Sequence, residues 1–278
     1  MKKIGFVDYY LDEFHANNYI NWIKQESGGE LEVTYAWAKT DAPKGMTTDE
    51  WCGHYGVQKA DTIEELVNKS DYIIVLSPDN PEMHEELCRV PLSSGKRVYV
   101  DKTFAPDTAA ARRIFAIAGQ NGTPCFSSSA LRFAEEYRDI DRKNIKNIAS
   151  WGPGSYKVYS IHQIEPIVSL MGSEAKRVMY VGTEEWPALV IEFSGNRRAI
   201  MSHHGWECPF AMTVGFKDAT SRTIQVKSDY YKGFIKEMTD FFLHGEVKIR
   251  HDETVAVIAI REAGEKASRN PGTWVEVE

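Results

Sequence analysis

Residues 6–27 contain no glycine, although the chain of 278 residues carries 20. No turn in that stretch can rely on a residue free to adopt positive φ. Cysteine is also sparse. The four present, Cys52, Cys88, Cys125 and Cys208, lie far apart and form no CxxC pair. That excludes a disulfide framework and predicts reduced thiols in a cytoplasmic protein. No apolar run approaches the roughly 20 residues of a membrane span. Met1–Val7 enters a strand at once, with no apolar stretch long enough for a signal peptide. Positive charge is in deficit: 33 Lys and Arg stand against 40 Asp and Glu, a net charge of -7 and a pI near 5.7. The basic residues are dispersed, which argues against nucleic acid as the partner. Repeats and low-complexity tracts are absent.

The chain is 42% hydrophobic and 26% charged, a globular composition, and its length allows one large domain or two ordinary ones. Lys3–Val7 reads as a strand, followed by a helix from about Asp12 that Gly28-Gly29 ends. Leu31–Ala38 is a second strand, and a short helix falls around Thr48–Gly53. Thr62 with Glu65 is a capping box opening another helix. Tyr72–Leu76 is a fully apolar strand that runs out into Ser77-Pro78-Asp79-Asn80, and a helix follows to about Ser93. Arg97–Val100 is the next strand, ending in Asp101-Lys102. Asp107 caps the helix Thr108–Ala118, and Pro124–Ser127 is one more strand. Short strands alternating with helices predict a doubly wound parallel sheet over residues 1–123. In such a sheet ligands bind beyond the carboxyl ends of the strands, where Lys102 stands.

The commonest ligand of this architecture is a dinucleotide, whose diphosphate approaches a glycine turn after the first strand. Asp8, Tyr10 and Glu13 occupy the places where glycines would be expected. A carboxylate about 5 Å from a phosphate charge costs about 3 kcal/mol at an effective dielectric of about 20, or about a hundredfold in affinity. Asp12 and Glu13 also suit a helix start, where each complements the helix dipole. After the second strand stands Lys39, positioned to meet a 2′-phosphate or to be solvated at the surface.

Residues 124–278 change character. Leu131-Arg132-Phe133 starts a predicted helix to about Asn144, and Gly152-Pro153-Gly154 is a turn. Ile161–Met171 reads as a helix interrupted early by Pro166. Strands over 177–181, 189–193, 197–202, 212–216 and 223–226 follow without intervening helices, with a hairpin signal at Ser194-Gly195-Asn196-Arg197. Two helices, around Phe234–Phe242 and Asp252–Ser268, precede a short strand at Trp274. This predicts an α+β domain with a largely antiparallel open sheet, suited to substrate binding and to homodimer or homotetramer formation. His203 and His204 are adjacent on a strand and point to opposite faces, so they do not suggest a metal site. His15 and His84 read as helix residues that cap or pack. The chain has neither a P-loop nor a GxSxG motif.

Several landmarks in order resemble the glucose–fructose oxidoreductase / inositol dehydrogenase (Gfo/Idh/MocA) family. Ser77-Pro78-Asp79-Asn80 with His84 is similar to its strand-end Pro-Asn and downstream His. Gly95–Thr103 is similar to "GK-x-V-x-x-E-K-P", with Asp101 for the Glu, Thr103 for the Pro and Lys102 retained. Leu131-Arg132-Phe133 with Tyr137-Arg138 resembles "RF…YR", and Ile161–Glu165 resembles the "G-x-H-x-x-D" helix that carries the family's histidine. Ser268–Val275 resembles its "S-x-x-x-G-x-W-V" ending. The position four residues before that histidine, usually Asp, is Val158 here.

The resemblance implies a Rossmann-like first domain, NAD or NADP as cofactor, and hydride transfer to or from a sugar- or polyol-like substrate. It implies Lys102 and His162 as the catalytic pair. His162 would exchange the hydroxyl proton and Lys102 would act as a fixed cation. Asp8, Tyr9, Tyr10, Leu11, Lys39, Ser77, Pro78, Asn80, His84, Asp101 and Lys102 would face the cofactor. Arg132, Tyr159, His162 and Trp206 would face the substrate. The Asp8–Glu13 turn and Val158 keep two further readings open: a cofactor-free binding or regulatory protein, and a non-redox lyase or epimerase.

Overall fold

The computed structural model describes residues 1–278, which form two compact units. The first comprises Met1–Ser128 together with Phe234–His251. Its strands are β1 (Lys2–Asp8), β2 (Leu31–Ala38), β3 (Gln58–Lys59), β4 (Tyr72–Val75), β5 (Val98–Val100) and β6 (Cys125–Phe126). They are all parallel, in the order β3-β2-β1-β4-β5-β6. The chain order thus reverses between β1 and β4, and that switch point is where a doubly wound sheet opens a crevice. The connecting helices are α1 (Phe14–Glu26), α2 (Thr48–Tyr55), α3 (Ile63–Lys69), α4 (His84–Leu92) and α5 (Thr108–Gln120). The side chains of Thr62 and Asp107 cap as predicted, accepting from Glu65 N and Ala110 N, but the Thr62 capping box is only half formed, since Glu65 accepts from Asp61 N. The inner strands β4 and β5 carry only apolar and tyrosine side chains, as a sheet covered on both faces favours.

The expected boundary at 123/124 falls instead at 128/129, and a later segment returns to the first unit. Its helix α7 (Tyr230–His244) explains why. Phe234 packs against Tyr19 and Tyr99, Phe241 against Phe126, and Phe242 stacks on Tyr72 at 5.2 Å. These rings cover apolar surface that the short strands β4–β6 would otherwise leave exposed.

The second unit comprises Ser129–Gly233 and Asp252–Glu278. Its strands are β7 (Ile145–Gly152), β8 (Ala175–Tyr180), β9 (Ala188–Phe193), β10 (Arg197–His203), β11 (Ala211–Phe216), β12 (Ser221–Gln225) and β13 (Trp274–Glu276). The sheet order is β12-β11-β7-β10-β9-β8-β13, antiparallel except for the β7–β10 pair. Helices α6 (Tyr156–Met171) and α8 (His251–Ser268) belong to this unit, apart from His251. They approach closely: a Cβ on Gly264 would lie 1.8 Å from Tyr156 Oη, and that hydroxyl donates to Arg261 O at 3.1 Å.

Three expectations are corrected here. The helix predicted over 131–144 is three short 3-10 turns, because Ala134 is extended and the Glu136 carboxylate is drawn to Lys227 N, Ser228 N and the Ser228 hydroxyl. Strand β7 was not expected, yet it lies at the centre of the sheet. Two of its inward positions are Ser150 and Gly152, which hide the alternation. Both are small for a reason: Ser150 donates to Gln163 Oε1 at 2.8 Å, and a Cβ on Gly152 would lie 2.7 Å from Phe210. Pro166 does not interrupt α6, which runs unbroken from Tyr156, five residues before the expected start.

Candidate functional site

In the first unit the strand ends carry acids. β1 ends at Asp8, which is 1 % exposed. Its Oδ1 accepts from Tyr9 N at 2.7 Å, while Oδ2 is buried without a partner. Burial, reinforced by the neighbouring Glu13 charge, raises the Asp8 carboxyl well above the usual carboxylate range. Glu13 is the N-cap of α1. Its carboxylate accepts from His15 N at 2.7 Å and from Ala16 N. Burial lifts the Glu13 carboxyl to about 7, against the lowering pull of His15 and of those two amides.

β5 leads into Asp101, which is 0 % exposed. Its carboxylate meets His15 Nδ1 and accepts from the Tyr99 hydroxyl at 2.9 Å and Lys102 N at 2.8 Å. Burial works to raise its pKa, but the His15 charge and these donors outweigh it and hold the group below its ordinary value. His15 also stacks on Tyr19 at 4.9 Å. A histidine on the first turn of α1 is thereby tied to a strand end 86 residues away.

The residues expected to face a cofactor separate into three groups. Leu11, His84 and Asp101 are buried in the core. Both His84 ring nitrogens lie against backbone carbonyls, Phe104 O at 3.0 Å and Leu76 O at 2.6 Å, so His84 braces the strand ends from inside. Burial lowers its pKa, against the raising pull of those carbonyls. Tyr9 and Tyr10 are half-buried and pack on each other at 5.8 Å. Lys39 is exposed and paired with Glu86 at 2.6 Å. Ser77, at φ 87°, donates to Asn80 O at 3.1 Å, and Pro78 is half-buried beside it. Lys102 is half-buried; its backbone amide, not its ammonium, bonds Asp101, and the Lys102–Thr103 peptide is cis.

In the second unit His162 is half-buried on α6, with Nδ1 2.7 Å from Ser129 Oγ. Rings surround it: Tyr159 at 5.2 Å and Phe210 at 6.1 Å, with Trp206 edge-on to Tyr159 at 5.1 Å and Tyr230 beyond Phe210. Trp206 is 69 % exposed. That contact orients the imidazole, since a ring nitrogen can donate to or accept from a hydroxyl. The structure thus brings Tyr159, His162 and Trp206 together. Sequence reasoning missed Ser129 and Phe210, which are distant in the chain and carry no motif.

Arg132, expected beside them, is a correction. Its buried guanidinium lies between Glu165, at 3.0 Å, and Glu253, joining α6 to the start of α8. His203 and His204 diverge, His203 onto Pro153 O and His204 onto the Ser202 hydroxyl. A cavity of about 630 Å³ in this unit is lined by Ser155, Lys157, Tyr180 and Glu265 among others, and by none of the predicted site residues.

Residues 9–129 match the model of an oxidoreductase family with an NAD-binding Rossmann fold, Gfo/Idh/MocA. The first domain belongs to the Gfo/Idh/MocA family. No curated protein matches the chain. Among solved structures, GenD2 from gentamicin A biosynthesis, in complex with NAD, aligns with a TM-score of 0.80 at 14% identity, over 100% of this chain and 97% of its own. The myo-inositol 2-dehydrogenase of Lactobacillus plantarum gives 0.79 at 11%, over 100% and 99%. The Lactobacillus casei scyllo-inositol dehydrogenase with NAD(H) and scyllo-inositol gives 0.79 at 15%, over 99% of each chain. At these identities the likeness establishes the fold. No helix of the chain is long and apolar enough to cross a membrane.

A dinucleotide of the Gfo/Idh/MocA type does not fit the first turn as it stands. Two amides of α1 that would meet a diphosphate are held by Glu13, and Asp8 lies beside them.

Two outcomes follow. Arg132→Met should cost about 3–5 kcal/mol, since it removes the cation that lies between the Glu165 and Glu253 carboxylates; urea unfolding reads the loss, and a change under about 1 kcal/mol would return Arg132 to ligand binding. Asp8→Asn should stabilise the protein at pH 8 but not at pH 3.5. A carboxyl whose folded pKa is raised favours folding below its unfolded value near 3.9, and that advantage is lost as pH rises. Urea midpoints across pH that show no gain at pH 8 would contradict the assignment.

Proposed function

We propose that the chain is an oxidoreductase acting on a sugar- or polyol-like substrate, with His162 as the group that exchanges the hydroxyl proton. The observation that carries this reading is the setting of His162: one ring nitrogen fixed by Ser129 and the imidazole set among Tyr159, Phe210 and Trp206. Rings of this kind stack on the C–H faces of a polyol, while the fixed imidazole supplies one directed polar contact. Ser129 orients the ring, and the imidazole takes the hydroxyl proton in one direction and returns it in the other. Lys102 takes the cationic role that the family resemblance implies for it. The implied cofactor class is NAD or NADP, for which α1 as built offers no diphosphate seat.

One observation favours a second reading. The Glu13 cap and the buried Asp8 suit a protein that works without a dinucleotide, by proton transfer alone as an epimerase or lyase, or as a binding protein.

A homodimer through the second sheet belongs to the same proposal. Met179, Val190, Ile200, Ala149 and Thr213 stand in register across five strands on the face that carries Ile200, which is 46 % exposed. Flanking them, Glu192 pairs with Arg177 and Arg198. Unpaired in water, that apolar row is a surface a second copy would bury.

His162→Ala should reduce turnover of a polyol substrate at least about a hundredfold, with Lys102→Ala similarly impaired and both variants folded. Unchanged kinetics in His162→Ala would sink the assignment, and failure to bind any of NAD, NADH, NADP or NADPH at millimolar levels would leave the second reading. Ile200→Glu should convert the assembly to monomers by light scattering; an unchanged mass would remove this face from the interface.

A further inference from the structure

The start of α1 is a complete anion site with its own anion already in place. A helix leaves its first amides unsatisfied, and in a doubly wound sheet those amides ordinarily receive a ligand's phosphate. Here the carboxylate of Glu13 takes the amides of His15 and Ala16. Nearby, the unpartnered Oδ2 of Asp8 is buried and is raised by the Glu13 charge.

The loop that holds Glu13 is braced. Leu11 is in the core, and Asp12 accepts from Asn17 Nδ2 at 2.8 Å and Met46 N at 2.7 Å. Gly45, at φ 103°, lets that second loop approach, since a Cβ there would lie 2.1 Å from Asp12 Oδ2. On the other side Lys39 N and Thr40 N donate to Asp8 O and Tyr9 O, so the loop leaves β1 still paired in the ladder. An extended exit of this kind needs no glycine.

We propose that the Glu13 carboxylate is the resident anion of the α1 cradle, and that any dinucleotide binding in this domain must displace it, so that Glu13 sets both the affinity and its pH dependence. The proposal rests on the reading of the first unit as a dinucleotide-binding-type domain. The other titratable and charged groups around Glu13 are Asp8 at the end of β1, His15 on α1 itself, Asp101 and Lys102 after β5, and Tyr9 and Tyr10 in the loop, with Asp79 acting on Tyr10. With its carboxyl lifted to about 7, Glu13 competes with a diphosphate as a full charge above neutrality and as a neutral acceptor below it.

The test compares the full chain with Glu13→Ser, which keeps a good N-cap but removes the charge. NADH binding is followed by fluorescence and inorganic pyrophosphate by calorimetry, at pH 6 and pH 8. At pH 8 Glu13→Ser should bind NADH at least roughly tenfold more tightly than the parent. The parent should lose affinity between pH 6 and pH 8 by more than the variant, which retains Asp8, His15 and Asp101. Glu13→Gln, a neutral isostere, should behave at pH 8 as the parent does at pH 6 and serves if Glu13→Ser folds poorly. Equal NADH affinities in parent and variants at pH 8, measurable or not, would overturn the proposal. Tight binding by Glu13→Ser without polyol turnover would remove the oxidoreductase reading and leave the role of Glu13 standing.

Discussion

The first turn of an α-helix must find acceptors for its amides, and in this chain α1 finds them in its own N-cap. Most of what distinguishes the first unit follows from that constraint. Because Glu13 supplies the acceptor, the loop from Asp8 to Glu13 needs neither a glycine nor a bound phosphate to complete it. Burial of Asp8, reinforced by the neighbouring Glu13 charge, drives it toward its protonated form. The His15 ring is committed to Asp101, whose carboxylate also accepts from Tyr99 and the amide of Lys102. Glu13 and Asp101 are therefore each held by neighbours from α1 and β5, while Asp8 keeps one buried oxygen without a partner. Replacing these contacts by a ligand requires the ligand to supply equivalent partners.

The second unit is organised differently. Its chemistry depends on one side chain, His162, whose orientation is fixed by a serine from outside its own helix and whose surroundings are aromatic. Behind it, Gln163 accepts from Ser150 and donates to Ser202 O, tying α6 to β7 and β10. The helix that carries the imidazole is thus anchored to the sheet at the residue next to it, a rigid support for a group that must meet a hydroxyl at hydrogen-bond distance. The buried Arg132–Glu165–Glu253 cluster supports the same helix three residues further on.

Most of the architecture was legible because it rests on local rules. Apolar strands bounded by caps and turns predicted the parallel sheet, and the Thr62 and Asp107 caps formed as read. What was hidden was hidden by contacts distant in sequence. β7 lost its alternation because Gln163 and Phe210 require Ser150 and Gly152 to be small. The 131–144 segment has helical composition, but Glu136 is drawn away to the amides of Lys227 and Ser228. For the site, the dipole argument located Glu13 as a helix-start acid. It could not show that His15 and Asp101 meet, nor that Ser129 and Phe210 gather at His162, since no spacing encodes those encounters. Leu11, His84 and Arg132 carry motif positions, yet the fold uses them for packing and internal charge balance.

The central claim is that α1 is capped by Glu13 and not by a ligand's phosphate. A pair of crystal structures of the full chain at pH 8, without and with millimolar NADH, tests it most directly. The account predicts the Glu13 carboxylate on the amides of His15 and Ala16 without ligand, and displaced from them wherever a dinucleotide binds. Glu13 turned out to solvent in the ligand-free crystal, or NADH bound in this domain with Glu13 still on those amides, would contradict it.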